Sequence, residues 1–273
     1  MIGLLIIEIM LKIPQIGFGV YNIPKSKTAT SVRAALDCGY RLIDTAQMYN
    51  NEAEVGEAVN GSGIPRQEIF VTTKISSPCY TYDSAVKSFH QSLDRMHLDY
   101  LDMMLIHWPQ GGEAETWQAL EDMQRQGLVR YIGISNFYPH TLERLQKTAK
   151  VKPCIDQIET NVFYQQKPMR EYLKKKGIAV QAWSPLGEGS TAIFRNPILN
   201  AIGVNHGKTA AQVALRYLVQ LGINIIPRSK SPEHIRRNID ILDFVLTDKE
   251  MQQISTLDTG HSQYGWPGDA WSY

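Results

Sequence analysis

Residues 69–107 read IFVTTKISSPCYTYDSAVKSFHQSLDRMHLDYLDMMLIH, and this stretch contains one complete unit of the fold. Its first six and last eight residues are rich in β-branched and apolar side chains, as buried strands are. Between them, Val86, Phe89 and Leu93 recur at spacings of three and four, which places them on one face of a helix. The stretch predicts a strand, a crossover helix and a second strand parallel to the first.

The same alternation of strand and helix extends from Ile13 to Thr247. It predicts eight strands, and eight such units fit the ~250 residues typical of an α/β (β/α)8 TIM barrel. We expect the helices to open with capping residues such as Ser31, Asp83 and Thr141. The predicted strands are QIGFGVY from Gln15, RLIDTA from Arg41, IFVTTK from Ile69, YLDMMLIH from Tyr100, RYIGIS from Arg130, IDQIET from Ile155, AVQAWS from Ala179 and NIIPRS from Asn224.

An open, doubly wound sheet is the alternative arrangement of such strands and helices. Its dinucleotide fingerprint is Gly-x-Gly-x-x-Gly between the first strand and a helix, with an acidic residue further on. Gly17 and Gly19 lack that context. We therefore expect a barrel that forms a single domain over residues 1–273, with a short C-terminal tail from about Thr259.

The apolar N-terminus, MIGLLIIEIMLKI, raises the question of a signal peptide or membrane anchor. It is interrupted by Glu8 and Lys12 and is shorter than the ~20 apolar residues of a spanning helix. It also lacks a basic leading region and a small-residue cleavage site. We expect this segment to form one or two strands that cap the barrel.

The composition is that of a globular protein without a strong overall charge. Of 273 residues, 43% are hydrophobic and 20% are charged, which excludes the disordered and fibrous classes. The net charge is +1, so no long-range field attracts nucleic acid or an anionic membrane. Cys38, Cys79 and Cys154 form neither a disulfide framework nor a Cys-x-x-Cys pair, so we expect a reducing, cytoplasmic setting.

Four polar residues follow the predicted strands at the end where a barrel carries its chemistry. The second strand finishes at Asp44 with Tyr49 just beyond it, Lys74 ends the third strand and His107 ends the fourth. A phenol has a pKa of ~10 and is a weak acid at neutral pH, but a neighbouring ammonium group lowers that pKa. We predict that Tyr49 donates a proton, that Asp44 and Lys74 tune its pKa, and that His107 hydrogen-bonds a carbonyl oxygen.

Each of these residues also has an ordinary structural interpretation. Asp44 alone suits an ion pair or a helix cap, Lys74 alone suits an exposed lysine, and His107 alone suits a hydrogen-bonded core histidine. Their joint placement at successive strand ends favours catalysis.

Five ordered segments resemble the signature segments of the aldo-keto reductase family, and the likeness extends from Ile13 to about Leu257. Several motifs in order are more specific than any one of them. The short tail and Trp183 resemble short-looped microbial and protozoan members, which act on keto sugars, dicarbonyls or prostaglandin endoperoxides. The segments are GYRLIDTAQMYNNE at 39–52, VTTK at 71–74, LDYLDMMLIHWP at 98–109, IGISNF at 132–137 and IPRS at 226–229.

The resemblance implies a barrel that reduces aldehydes and ketones with NADP(H) or NAD(H), and it gives the four strand-end residues the roles stated above. It places the nicotinamide ring against the indole of Trp183, and it implies no metal. Residues implied to contact the carboxamide and the pyrophosphate are Ser135, Asn136, Gln157, Ser184 and Leu186. Residues implied to hold the 2′-phosphate and the adenine are Arg228, Ser229, Ser231, His234 and Asn238, with Lys230 as a neighbour.

Two departures from the family pattern bear on the choice of cofactor. His234 stands where the family usually has an arginine on the adenine, and Arg237 stands where glutamate is common. Arg228 favours NADPH because a guanidinium is a forked donor for phosphate. We therefore expect NADPH to be preferred, with use of NADH as the alternative.

Several aromatic and apolar residues suit a substrate pocket for apolar or flat carbonyl compounds. They are Tyr21, Met48 and Trp108, together with Trp266 and Trp271 of the tail, which equally suit packing of the tail on the barrel. The expected partner is a small carbonyl substrate, with no nucleic acid and no membrane, and the expected oligomeric state is a monomer.

Two functions of other classes compete with the reductase. One is a regulatory subunit that binds NADP(H) without turnover, as some channel-associated proteins with this barrel do. The other is a metal-dependent hydrolase on the same barrel, since fold does not fix function. The hydrolase requires a cluster of histidines and carboxylates, and His107 has no histidine partner at another predicted strand end.

Overall fold

The computed structural model describes residues 13–265 of the chain. These residues form a parallel sheet of eight strands in which each strand pairs with the next one along the chain. The strands are β1 (Phe18–Gly19), β2 (Leu42–Asp44), β3 (Phe70–Ile75), β4 (Leu101–Ile106), β5 (Val129–Ser135), β6 (Ile155–Glu159), β7 (Ala179–Trp183) and β8 (Asn224–Ile225).

The last strand also lies against the first. Ile16 forms a parallel bridge with Ile225, and the amide of Gly17 donates to the carbonyl of Ile225 at 2.8 Å. The amide of Gly19 donates to the carbonyl of Pro227 at 3.1 Å. This sequential order with joined ends is consistent with the predicted (β/α)8 barrel, and it differs from the rearranged strand order of a doubly wound sheet.

Helices connect the strands and cover the outside of the sheet. In the segment quoted first, Phe89 and Leu93 are buried against the core and Val86 is partly buried, as the predicted apolar face requires. The helices of the described part of the chain are α1 (Lys25–Asp37), α2 (Glu52–Asn60), α3 (Tyr82–Met96), α4 (Glu113–Arg125), α5 (Pro139–Gln146), α6 (Lys167–Lys176), α7 (Thr191–Phe194), α8 (Pro197–His206), α9 (Ala210–Gln220), α10 (Pro232–Ile239) and α11 (Asp248–Ser255).

The three predicted N-caps were wrong. Ser31 lies inside α1, which begins at Lys25. Thr81, not Asp83, caps α3, and Thr141 lies in the first turn of α5. Serine, threonine and aspartate also bond to nearby backbone groups inside helices, so residue type alone does not locate a cap.

Alternation along the strands divides the interior of the sheet into an apolar part and a polar part. On β6, Ile155 belongs to an apolar interior cluster, and Gln157 follows two positions later on the same side. On β3, Phe70 joins that cluster, and Lys74 follows four positions later. The polar part therefore lies towards the C-terminal ends of the strands.

Some predictions fall on residues outside the described range of 13–265. They are the capping strands before Ile13 and the pocket roles of Trp266 and Trp271. Within that range, the protein has no helix that is both long enough and apolar enough to cross a membrane.

Candidate active site

A buried lysine lies at the centre of the polar interior. The Nζ atom of Lys74 is 2.5 Å from Oδ1 of Asp44, and it also donates to the backbone carbonyl of Thr45 at 2.9 Å. The hydroxyl of Tyr49 lies 3.5 Å from the same Nζ atom. Tyr49 ends a short 3-10 turn directly after β2, and Lys74 lies on the neighbouring strand β3. The pairing of these two strands therefore brings Asp44, Tyr49 and Lys74 together.

His107 lies beside this cluster. Its ring centroid is 5.7 Å from that of Tyr49 in an edge-to-face arrangement, and Trp108 stacks on it at 6.1 Å. His107 directly follows β4 and is only 5% exposed. Its Nδ1 atom is buried and has no hydrogen-bond partner among the residues that the structure describes. The structure thus brings together all four residues predicted to be catalytic.

Burial determines the protonation of these groups. Loss of solvation lowers the pKa of His107 well below its ordinary value, and the Lys74 cation lowers it further, so the imidazole is neutral. Loss of solvation also raises the pKa of Asp44 and lowers that of Lys74, while the ion pair between these two residues acts in the opposite direction. The neutral imidazole retains one N–H that can donate to a ligand.

The expected lowering of the Tyr49 pKa was wrong for this structure. Burial raises the pKa of Tyr49 well above 10, and the Asp44 carboxylate raises it further. Lys74 does not reverse the shift because its charge is opposed by Asp44 at 2.5 Å, whereas the phenol lies 3.5 Å away. Tyr49 is therefore a protonated phenol at neutral pH.

A second network joins the ends of β5, β6 and β7. Nε2 of Gln157 donates to Oδ2 of Asp44 and to Oε1 of Gln181, both at 2.7 Å. Oγ of Ser135 donates to the backbone carbonyl of Gln157 at 2.7 Å, and Nδ2 of Asn136 donates to that of His107 at 3.1 Å. These bonds connect the residues predicted at the carboxamide with those predicted to be catalytic.

The indole of Trp183 is part of the second network. Its Nε1 atom donates to Oδ1 of Asn136 at 2.8 Å. Asn136 and Ser184 both adopt left-handed backbone conformations, with φ of 63° and 52°. Such conformations are strained in residues other than glycine and concentrate at functional sites. The ends of β5 and β7 therefore carry local strain where the predicted cofactor contacts lie.

A cavity of about 1200 Å³ opens over these strand ends. This volume exceeds the range of about 300–1,000 Å³ found for most small-ligand sites, so it suits a large ligand together with a small one. Lys74 is fully buried beneath the cavity and does not line it. The other predicted site residues within 13–265 all line it: Asp44, Tyr49, His107, Ser135, Asn136, Gln157, Trp183, Ser184, Leu186, Arg228, Ser229, Ser231, His234, Asn238, Tyr21, Met48 and Trp108.

The cavity walls differ in charge. The basic residues of the lining come from the segments around β8, α9 and α10, and they are Lys208, Arg228, Lys230 and Arg237. Ser231 is the N-cap of α10 and accepts a hydrogen bond from the amide of His234 at 3.5 Å. A helix N-terminus beside cationic side chains favours an anion such as phosphate. The walls next to Tyr49 are instead aromatic and apolar, from Tyr21, Met48 and Trp108.

Sequence reasoning missed three residues of this site. Gln181 pairs with Gln157 in the β6–β7 register, and a glutamine within the apolar run AVQAW is the signal that could have found it. Glu188 lines the cavity, and its carboxylate lies 3.8 Å from the Arg228 guanidinium. Tyr264 also lines the cavity, and no local pattern in the sequence indicates its position.

The metal-dependent alternative requires a cluster of metal-binding side chains. Over residues 13–265, the structure contains no group of three or more histidine, cysteine, aspartate or glutamate side chains placed to hold a metal ion.

The strand order and the cavity over the C-terminal strand ends define a protein of the (β/α)8 enzyme type. A model of the Aldo/keto reductase family matches residues 15–259. The chain belongs to the aldo/keto reductase family and is an NAD(P)H-dependent oxidoreductase.

Individual relatives cover nearly the whole chain. A 9,11-endoperoxide prostaglandin H2 reductase of Trypanosoma cruzi is 42% identical over 250 residues, which cover 90% of this chain and 88% of the relative. A glyoxal reductase of Bacillus subtilis is 42% identical over 249 residues, 90% of each chain. The crystal structure of a Bombyx mori aldo-keto reductase in complex with NADP has a TM-score of 0.86 at 33% identity, covering 92% of this chain and 91% of that one.

Proposed function

We propose that this protein reduces aldehydes and ketones to alcohols with NADPH, and that Tyr49 is the proton donor. The observation that carries the proposal is the cluster of Asp44, Tyr49, Lys74 and His107 at the base of one cavity, in which Tyr49 and His107 face the open space and Lys74 is buried beneath them. The reductase and dehydrogenase names of the relatives support the same reaction class.

The cofactor site follows from the charge of the cavity walls. Arg228 provides forked donors for a 2′-phosphate, with Ser229 and the capped start of α10 beside it. Ser135, Asn136 and Gln157 offer amide and hydroxyl groups for a carboxamide, and Trp183 offers an aromatic face. These residues fit a reduced nicotinamide dinucleotide, which supplies a hydride to the carbonyl carbon when bound.

The chain's own residues donate the proton and hydrogen-bond the carbonyl oxygen. His107 is neutral and donates its N–H to the carbonyl oxygen, which orients the substrate towards Tyr49. Tyr49 remains protonated until oxygen gains negative charge, and it then gives up its proton. The phenolate that remains lies 3.5 Å from the Lys74 ammonium, whose positive charge stabilises it. Asp44 and Thr45 hold that ammonium in place.

The walls around Tyr49 indicate the class of carbonyl. Tyr21, Met48 and Trp108 present aromatic and apolar surface, and the basic residues of the lining come from other segments. We therefore propose neutral carbonyl compounds, dicarbonyls included, rather than keto acids. The name of the Bacillus subtilis relative, glyoxal reductase, supports dicarbonyls as the first compounds to test.

Loss of reduced-nicotinamide absorbance tests the proposed function directly. The purified protein is mixed with NADPH, and separately with NADH, against aldehydes, dicarbonyls, keto sugars and keto acids of similar size. Turnover of neutral carbonyls, faster with NADPH than with NADH, is expected. Tight NADPH binding without turnover of any carbonyl would overturn the reductase and favour the cofactor-binding regulatory subunit instead.

The remaining expectations are also proposals. We propose that the chain is one barrel domain that acts as a monomer in the cytoplasm. A single cooperative unfolding transition and a molar mass near 30.9 kDa in solution are the expected results.

A further inference from the structure

The segment after α11 is fixed by hydrogen bonds to residues at and just after the end of β6. The amide and hydroxyl of Thr259 both donate to the backbone carbonyl of Phe163, at 2.8 and 2.7 Å. Further on, the hydroxyl of Ser262 and the amide of Gln263 donate to the two carboxylate oxygens of Glu159, at 2.5 and 3.1 Å. Glu159 is the last residue of β6 and is 2% exposed, so the segment is anchored on a buried charge.

This anchoring places Tyr264 against the end of β7. The ring centroid of Tyr264 lies 5.6 Å from that of Trp183, with 41° between the ring planes. The Tyr264 hydroxyl is 2.8 Å from Oγ of Ser184, and the Tyr264 side chain lines the cavity. Burial raises the pKa of Tyr264 to about 12, so its hydroxyl remains protonated at neutral pH and can donate. One side chain therefore contacts two adjacent residues of the proposed cofactor site.

Both contacts act on groups whose orientation matters for binding. The indole of Trp183 is held at its Nε1 edge by Asn136 at 2.8 Å, and the Tyr264 ring limits its remaining rotation. Ser184 has a left-handed backbone with φ of 52°, which serine adopts only when its surroundings hold it there. The Tyr264 hydroxyl is one of those surroundings.

We propose that Tyr264 is a positioning residue for the cofactor, which fixes the Trp183 indole as the stacking surface and the Ser184 hydroxyl as a diphosphate contact. The inference rests on the proposed function, since it assigns Trp183 and Ser184 to a nicotinamide dinucleotide. It makes cofactor affinity depend on the C-terminal segment, which the hydrogen bonds to Glu159 and Phe163 hold beside the site.

The test compares two variants of Tyr264 with a matched control. Tyr264→Phe removes the hydroxyl and keeps the ring, whereas Tyr264→Ala removes both. Tyr172→Phe is the control, because its hydroxyl donates to Glu143 at 3.1 Å and its side chain does not line the cavity. The measurements are the Kd of NADPH by fluorescence titration, kcat and KM for a turned-over carbonyl, and Tm.

We expect the NADPH Kd of Tyr264→Phe to rise about threefold to tenfold, the worth of one ordinary hydrogen bond. Tyr264→Ala adds a further loss of similar size from the ring contact, and its kcat falls because the nicotinamide is held less firmly. KM for the carbonyl and the Tm of Tyr264→Phe change little, and Tyr172→Phe matches the wild type in Kd and kcat.

A double variant shows whether the hydroxyl acts through Ser184. If it does, Tyr264→Phe raises the Kd much less in a Ser184→Ala background than in the wild type. Fully additive effects would overturn the role of the hydroxyl. An unchanged Kd in both Tyr264 variants, or tighter binding by Tyr264→Ala, would overturn the whole inference while leaving the proposed function intact. Failure of the wild type to bind NADPH would overturn both.

Discussion

At the scale of the residue, the most informative side chain is Tyr49, because burial and not the neighbouring Lys74 cation determines the direction of its pKa shift. A phenol with a raised pKa is present as the acid at every physiological pH. Lys74, only 3.5 Å away, then contributes when the phenolate forms. The same site thus keeps the phenol protonated before the reaction and stabilises the phenolate after the proton has been transferred.

Tyr49→Phe tests this assignment. The variant keeps the ring between Tyr21 and His107 but has no proton to donate, so kcat is expected to fall by about 10²- to 10⁴-fold. The NADPH Kd should stay within about threefold of the wild type, because the phenol is assigned to the substrate side of the site. Steady-state kinetics and a fluorescence titration measure the two quantities. Undiminished turnover would remove Tyr49 from the role of acid.

Arg228→Ala tests the choice between NADPH and NADH. A hydrogen bond to a charged group is worth more than a neutral one, so the NADPH Kd is expected to rise about 10- to 100-fold. The NADH Kd should change by less than about threefold, because NADH lacks the phosphate. Arg125→Ala is the control, since Arg125 pairs with Asp122 on the surface and does not line the cavity. Equal losses for both cofactors would instead place Arg228 at the diphosphate.

Asp156 is a buried carboxyl group that the proposed reaction does not use. It is fully buried on β6, and neither side-chain oxygen makes a hydrogen bond within the described part of the chain. Burial raises the pKa of Asp156 well above its ordinary value, and the nearby Phe137 amide offsets only part of the shift. The folded protein therefore holds Asp156 protonated at pH values where the unfolded chain has lost that proton.

The sign of the resulting pH dependence follows from this difference. Because the folded pKa is raised, the contribution of Asp156 to stability is complete below the unfolded value of ~3.9 and is lost as pH rises towards the folded value. Between the two pKa values, Asp156 lowers the free energy of unfolding by up to about 1.4 kcal/mol per pH unit. Asp156→Asn should abolish this decrease. Urea unfolding at pH 5, 6 and 7 measures it. Identical pH slopes for the variant and the wild type would show that Asp156 is ionised in the folded protein.

At the scale of the element, the contact between α2 and α3 depends on one glycine. A Cβ atom at Gly56 would lie 2.2 Å from the backbone oxygen of Met96, a distance that real Cβ atoms do not show. Gly56→Ala must therefore push the two helices apart, and it is expected to destabilise the protein by about 1–3 kcal/mol although alanine is the better helix former.

The matched control for that prediction is Gly61→Ala at the end of α2. There the new Cβ would meet only the Glu57 backbone oxygen, at 3.1 Å, and φ is an ordinary −86°. We expect a change within about 0.5 kcal/mol. Urea unfolding of both variants separates the helix contact from the general effect of replacing glycine.

The elements also show which parts of the structure the sequence could predict. Six of the eight strands lie within the predicted runs, and β3 and β5 each extend one residue beyond theirs, because a buried parallel strand requires continuous apolar residues whatever surrounds it. The first and last strands are shorter than predicted: β1 contains only Phe18–Gly19 and β8 only Asn224–Ile225. Local amino-acid composition indicates where a strand lies, whereas the length of the strand depends on its hydrogen bonds to a neighbouring strand.

The features of the candidate site also divide into those that local sequence indicates and those that depend on contacts with distant residues. Asp44, Tyr49, Lys74 and His107 could be proposed because each lies at or just after the end of a strand, and parallel strands bring those ends together. The contact of Tyr264 with Ser184 joins positions 80 residues apart and leaves no periodic signal in either segment. The pKa of Tyr49 could not be predicted in sign, since burial is a property of the folded site.

At the scale of the whole molecule, the cavity joins elements that are distant in the chain. Its lining begins with Gly19 at the end of β1 and includes residues at the ends of β2, β4, β5, β6 and β7. It also includes residues of α10, and it ends with Tyr264. A ligand in this cavity therefore contacts both the beginning and the end of the described chain. Partial unfolding of any of these segments would open the site.

Cofactor binding should for this reason raise the stability of the whole protein. Binding to the folded state alone stabilises by about 2.7 kcal/mol at a ligand concentration of 100 times Kd. Each kcal/mol is worth about 2–4 °C in chains of about 150–250 residues, so in this chain of 273 residues NADPH should raise Tm by about 5–10 °C. NADH at the same concentration should give a smaller shift, because it lacks the phosphate assigned to Arg228.

Variants separate this linkage from catalysis. Tyr49→Phe should keep the full NADPH shift although it has lost turnover, whereas Arg228→Ala should lose about half of the shift or more at the same NADPH concentration. Thermal unfolding followed by circular dichroism, with and without each cofactor, provides the comparison. Because Tm reports occupancy rather than chemistry, a wild-type protein that turns over NADPH must also show the shift. Turnover without any rise in Tm would mean that the cofactor does not bind in the cavity that spans the fold.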